Sequence, residues 1–198
     1  MKKAMIAMTA LLAAMGATGA AHADTNVALN APVILTGAGF GQSPGWGAGT
    51  LAAAASITDG ALLNVGHQWN LGTVYWHDTT ASDTITMVLG QSSLIHSIML
   101  QADNNDDYKI QYHGADHLWH DLVTVSPPDA WGMGNVSYTL GSAITADAFM
   151  ITGANGDHLY AVSEFQANGT TAPVPEPESW AMLAAGLGLL GWMARRRA

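Results

Sequence analysis

The chain has 198 residues, 49% of them hydrophobic, with no cysteine and a formal net charge of −9. Without thiols it has no disulfides, thiol catalysis, iron–sulfur clusters or cysteine zinc sites. Of its six Lys and Arg, Lys2 and Lys3 open the chain and Arg195, Arg196 and Arg197 close it. The stretch between carries Lys109 alone against thirteen carboxylates, about −12, a surface that repels a phosphate backbone and excludes nucleic acid as a partner.

Lys2 and Lys3 precede the apolar run Ala4 to Ala14, and small residues lead to Ala21-His22-Ala23. This charged, apolar, small-residue order predicts a secretory signal peptide over residues 1–23. Residues 24–169 then form a single domain, long enough for one substantial core. Residues 36–49 (TGAGFGQSPGWGAG) are glycine-rich and predict a long loop. Beyond them the pattern is period two. Ile85, Met87 and Leu89 share a face opposite Thr84 and Thr86. Leu94, Ile98 and Leu100 share the next, with His96 among them. Tyr108, Ile110 and Tyr112 alternate with Lys109, Gln111 and His113. Further runs cover 118–125, 136–140, 148–152 and 159–165. Short strands separated by Gly, Asn, Asp and Pro predict an all-β antiparallel sandwich.

Residues 170–178 (TTAPVPEPE) hold three prolines and predict an extended linker. Ser179 to Ala194 is apolar, sixteen residues or about 24 Å of helix. That is short for a hydrocarbon core of about 30 Å, a gap that snorkelling arginines and local thinning can cover. Arg195, Arg196 and Arg197 are costly to carry through a bilayer, so residues 179–198 are predicted as a single C-terminal transmembrane helix with an arginine stop.

The order Val174-Pro175-Glu176-Pro177, apolar stretch, arginine cluster resembles the tripartite PEP-CTERM sorting signal. That signal resembles a sortase-type tail and is read by exosortases in exopolysaccharide-producing Gram-negative bacteria. The resemblance implies an exported, inner-membrane-anchored precursor, an exosortase-like processing partner, and a destination at the cell surface or in the extracellular matrix.

A second resemblance covers the middle. Asn26-Val27-Ala28-Leu29-Asn30-Ala31-Pro32 is followed by Ile57-Thr58-Asp59-Gly60, Trp76, Val88-Leu89-Gly90 and Ile98-Met99-Leu100-Gln101-Ala102-Asp103. Then come Tyr108-Lys109-Ile110-Gln111-Tyr112, Trp119 and Val162-Ser163-Glu164-Phe165. In this order the pieces resemble the discoidin-like (F5/8 type C) branch of the galactose-binding-like jelly rolls. The terminal cysteines of the animal members are missing, as is the usual arginine on the penultimate strand (here Ala148-Phe149-Met150-Ile151). The resemblance implies a jelly-roll sandwich with Trp76 and Trp119 in its core.

Five constellations could carry chemistry. Gly41-Gln42-Ser43-Pro44-Gly45 fits the spacing of a serine-hydrolase elbow, but Pro44 has no N–H for the oxyanion and the glycines that follow start a helix poorly; it reads as a loop. Asp103-Asn104-Asn105-Asp106-Asp107 begins like a calcium loop, then has Tyr108 where glycine is needed and Gly114 where glutamate is needed, so it reads as an Asx-rich turn. His113, His117 and His120 with Asp121 lie on a predicted hairpin, where solvated histidines are favoured over a metal site. Glu164 is expected on one strand face with Tyr160 and Val162, partly indoors. It either reaches solvent at a bulge or shares a calcium ion with Asp59 and backbone carbonyls. The discoidin-like resemblance implies such a structural Ca²⁺. Trp46 and Trp131, in Gly/Pro-rich loops, either cover the end of the sandwich or stack on sugars.

These readings favour a non-catalytic exported module binding carbohydrate, with exopolysaccharide as the ligand. The alternatives are a structural biofilm or envelope matrix protein without a discrete ligand and, behind it, a small hydrolase.

Overall fold

The computed structural model describes residues 24–128, 131–171 and 177–196. The predicted signal peptide, Val174, Pro175, Glu176 and Arg197 lie outside these. Nine strands follow in chain order: β1 (Thr25–Asn26), β2 (Val33–Thr36), β3 (Thr50–Leu51), β4 (Leu71–His77), β5 (Thr84–Asp103), β6 (Asp107–Gly114), β7 (Trp119–Val125), β8 (Met133–Asn155) and β9 (Leu159–Thr171). A 3₁₀ turn covers Ala54–Thr58, and α1 runs from Pro177 to Arg195.

The strands form one sheet in the order β3-β4-β9-β5-β8-β6-β7, with β1 on β9 and β2 on β5. Every pairing is antiparallel except β3 with β4. The sheet curls because β5 and β8 each serve two layers. The first part of β5 pairs with β2 and the last part of β8, and its second part with β9 and the first part of β8. The predicted runs 136–140 and 148–152 are therefore parts of one bent strand.

A register shift at His96 explains why simple alternation misplaces part of β5. Pairing passes from Ile95 to Ser97, leaving His96 as the extra residue of a bulge. A bulge exchanges the two faces of a strand. Ile95 is thus buried with Ile98 and Leu100, while Leu94 is 42% exposed, not on the core face as its spacing predicts. The same device acts on β9, where Gln101 faces Glu164 but Ala102 faces Val162, and Ser163 is extra. Tyr160 and Val162 point to the core before the bulge, Phe165 and Ala167 after it. Glu164 consequently leaves the Tyr160–Val162 face, against expectation.

The core is built around Trp76, whose ring stacks on Tyr160 at 5.3 Å and meets Tyr108 edge-on at 6.2 Å. Phe149 and Phe165, at 5.1 Å, fill the other half with Ile85, Met87, Ile98, Leu100 and Ile110. Gly153 lies directly under the Tyr160 ring, where a Cβ would come within 2.4 Å of its carbons. Trp119, assigned to the core by resemblance, is 41% exposed on β7 instead. A smaller cluster of Trp69, Tyr75, Met133, Leu159 and Ala161 closes one end.

The predicted linker is shorter than its composition suggests. Thr170 and Thr171 pair with Leu94 and Ser93 as the end of β9, and Pro177 starts α1, a position where its missing N–H costs nothing. Leu183, Leu187, Leu190 and Trp192 of α1 are all more than half exposed. Arg195 ends the helix, and the Arg196 guanidinium sits 3.9 Å over the Trp192 ring. Among the described residues no helix is long and apolar enough to cross a membrane. Pro177, Glu178 and Ser179 take up the first turn of α1, leaving its apolar part short of a full bilayer core.

Candidate functional site

Antiparallel topology delivers three chain turns to one end of the sandwich: Asn104–Asp106 between β5 and β6, Gly156–His158 between β8 and β9, and the segment before β8 that carries Trp131. The glycine-rich loop 36–49 brings Trp46 to the same end. Trp46 lies 6.1 Å from Trp131 and 6.0 Å from Trp69, edge-on to the latter. Trp69 in turn packs edge-on against Tyr75 at 5.6 Å, so the exposed rings rest on the smaller core cluster. Gly132 holds Trp131 in place: its φ is +68° and a Cβ there would sit 2.2 Å from the His67 carbonyl oxygen. Only glycine tolerates both conditions.

The three tryptophans and Gly132 line a cleft of about 130 Å³ with Asp103, Asn104, Asn105 and Asp157. Trp46 is 46% and Trp131 62% exposed, whereas Trp69 is buried at the base. Asn105 donates Nδ2–H to Asp157 Oδ2 at 3.0 Å, and the Leu159 N–H donates to Asp157 Oδ1 at 2.9 Å. Behind this wall Asp103 and Asp106 are nearly fully buried, and one oxygen of each has no hydrogen-bond partner among the described residues. Burial pushes the Asp103 carboxyl up to about 6. Burial first, then the charges of Asp157 and Asp103, pushes Asp106 up to about 8. The cleft thus combines flat apolar rings with amide donors and carboxylate acceptors. A larger open groove lined by Val27, Leu29, Asn30, Pro32, Gln91 and Thr171 has neither an aromatic ring nor a charged group.

Of these residues, sequence reasoning singled out Trp46 and Trp131 and took 103–107 for a turn. It missed Trp69 and Asp157. No local signal marks either, because their place in the cleft depends on which turns share an end of the sandwich.

Asp59 and Glu164 also come together. Glu164 is fully buried on the outer side of the sheet, covered by the turn after Asp59. Its Oε2 accepts from the Gly60 N–H at 3.3 Å and its Oε1 from Gln166 Nε2 at 3.2 Å. Burial raises its carboxyl to about 7, with the Asp59 charge adding to the rise. Lys109 does not neutralise it, being paired with Asp121 at 2.8 Å. Beside it Gln101 is saturated: Oε1 accepts from the Leu63 N–H and the Ser163 hydroxyl, and Nε2 donates to the Leu63 carbonyl and Asn135 Oδ1.

The histidine cluster is rearranged relative to its sequence grouping. His120 pairs with Asp116 at 2.9 Å and Asp121 with Lys109. His113 turns to Asp147 on β8 at 2.6 Å. Ser43 of the elbow-like motif donates to the Gly47 carbonyl at 2.7 Å in a loop without a helix, so the elbow's geometry is missing.

Residues 173–197 match the PEP-CTERM protein-sorting motif. The tail is a sorting signal. Among curated proteins none matches the sequence. The sandwich is similar to the family 32 carbohydrate-binding module of Streptococcus pneumoniae EndoD. The TM-score is 0.50 at 16% identity, over 72% of this chain and 98% of that one. It is also similar to a fucolectin from the serum of striped bass, Morone saxatilis, with a TM-score of 0.58 at 14% identity, over 78% of this chain and 52% of that one. The fold is a galactose-binding-like jelly roll.

Proposed function

We propose that this PEP-CTERM protein is an exported, non-catalytic carbohydrate-binding module that takes exopolysaccharide in the Trp46–Trp131 cleft. The supporting observation is the convergence of two exposed indoles, a buried third and an Asn/Asp wall on one cleft. Indole faces cover the C–H face of a pyranose, while amides and carboxylates bond its hydroxyls. The tail suits delivery: an exposed apolar helix followed by arginines holds a precursor at the inner membrane of a Gram-negative cell until an exosortase-like enzyme processes it.

In this reading Asp59 and Glu164 hold a structural Ca²⁺. Glu164 is bonded to the turn that follows Asp59, feels the Asp59 charge, and among the described residues has no neutralising side-chain cation, a combination that fits hard-oxygen chemistry. The ion would fix the turn that covers β9.

The test is polysaccharide pull-down and glycan-array binding by the wild-type chain, Trp46→Ala and Trp131→Ala. Both rings are substantially exposed, so neither change should lower the melting temperature by more than a few degrees, and each should weaken glycan binding by at least about tenfold. Binding that survives both substitutions would remove the cleft from the proposal. No glycan binding by the wild-type chain would favour a matrix protein without a discrete ligand.

A further inference from the structure

At the far side of the β6–β7 hairpin, His113, His117 and Asp147 each offer one ligand atom, and the three atoms lie within 4.8 Å of one another. They come from separate places in the sequence: the end of β6, the hairpin turn and β8. His117 occupies the turn with φ +62°, a left-handed conformation uncommon for a residue with a side chain. That turn brings its ring to within 6.0 Å of the His113 ring, centroid to centroid. No hydrogen bond engages the His117 ring among the described residues, whereas His120 on the same hairpin is held by Asp116. Trp119 flanks His113 at 5.3 Å and limits how far that ring can swing. We propose that His113, His117 and Asp147 form a binding site for a divalent transition-metal ion of the zinc type.

Two imidazoles and a carboxylate without thiols suit zinc, and calcium would want oxygen ligands only. The ion displaces the proton that His113 Nδ1 shares with Asp147 Oδ1. Those atoms are now 2.6 Å apart and would open to about 3.3 Å, the ligand–ligand edge of a tetrahedron with bonds of about 2.0–2.1 Å. The His117 ring closes in by a small rotation. His117 is exposed and the other two are half-buried, so the fourth position stays open to water. This site is distant in sequence and chemistry from the Asp59–Glu164 turn, and independent of the glycan reading.

The experiment titrates the full chain with Zn²⁺ by calorimetry and with Co²⁺ by visible absorption. The variants are Asp147→Asn, His117→Asn, which keeps a residue at ease in the left-handed region, and His120→Ala as a control on the same hairpin. One ion per chain is expected, with an intensified Co²⁺ ligand-field band typical of four-coordination. Asp147→Asn and His117→Asn should each weaken binding more than about tenfold, since loss of even an outer partner commonly costs that much. His120→Ala should leave affinity unchanged. All substituted side chains are at least partly exposed, and a matching melting temperature without metal shows that a loss is local. Absence of stoichiometric binding, or binding that depends on His120 and not on His117 and Asp147, overturns the proposal.

Discussion

Asp106 makes the stability of this protein depend on pH in an unusual direction. It is 2% exposed. Its Oδ1 accepts from the Asp157 N–H at 3.1 Å, and its Oδ2 has no partner among the described residues. Burial lifts its carboxyl to about 8, against about 3.9 in an unfolded chain. Between those values the folded protein keeps a proton that the unfolded chain has released. The contribution is complete below about pH 4 and fades as pH rises through about 8. Going from pH 8 to pH 5 this one group adds at most about 4 kcal/mol, and on the order of 2 kcal/mol once water in the adjoining cleft screens it. Asp103 and Glu164, also raised by burial, act in the same direction. Asp78, where burial is outweighed by several hydrogen bonds together, and Asp107, held low by hydrogen bonds from Ser126 and Asn155, finish titrating below this range. Urea unfolding followed by tryptophan fluorescence, with chelator present, should give a higher midpoint at pH 5 than at pH 8. Asp106→Asn keeps the Oδ1 acceptor and removes the titration, so its midpoint should change less between the two pH values. An unchanged pH dependence in the variant, or greater wild-type stability at pH 8, would refute the argument.

Other substitutions probe the packing and the turn over Glu164. Gly153→Ala forces a methyl into the Tyr160 ring and should cost about 2–4 kcal/mol in the same urea assay, or abolish folding. Gln101→Ala strips partners from the half-buried Leu63 backbone, the buried Ser163 hydroxyl and the exposed Asn135 amide and should cost about 1–3 kcal/mol, with faster amide exchange at Leu63. Added Ca²⁺ should raise the melting temperature of the wild-type chain but not of Glu164→Gln, as expected of an ion that binds only the folded state; equal shifts in both would exclude Glu164 as a ligand.

The sequence carried a good deal of the fold. Ile85-Met87-Leu89 and Tyr108-Ile110-Tyr112 alternate because each strand packs one face on a core, and a turn was evident at 103–107 from its Asx residues. The tail was legible outright, since proline, apolar length and arginine act locally. The bulges at His96 and Ser163 were not legible. A bulge is set by the partner strand's register, and each one reversed the facing that simple alternation gives to Leu94 and Glu164. Trp119 lost its expected core place for a related reason, because the edge strand β7 leaves one face to solvent.

By itself, then, the sequence determined an acidic, cysteine-free β-domain ahead of a sorting tail, with indoles in its loops. Which loops share an end was decided by the tertiary structure alone. Contacts such as Trp46 with Trp131 or His113 with Asp147 span long stretches of chain, and only the curl of β5 and β8 brings their carriers side by side.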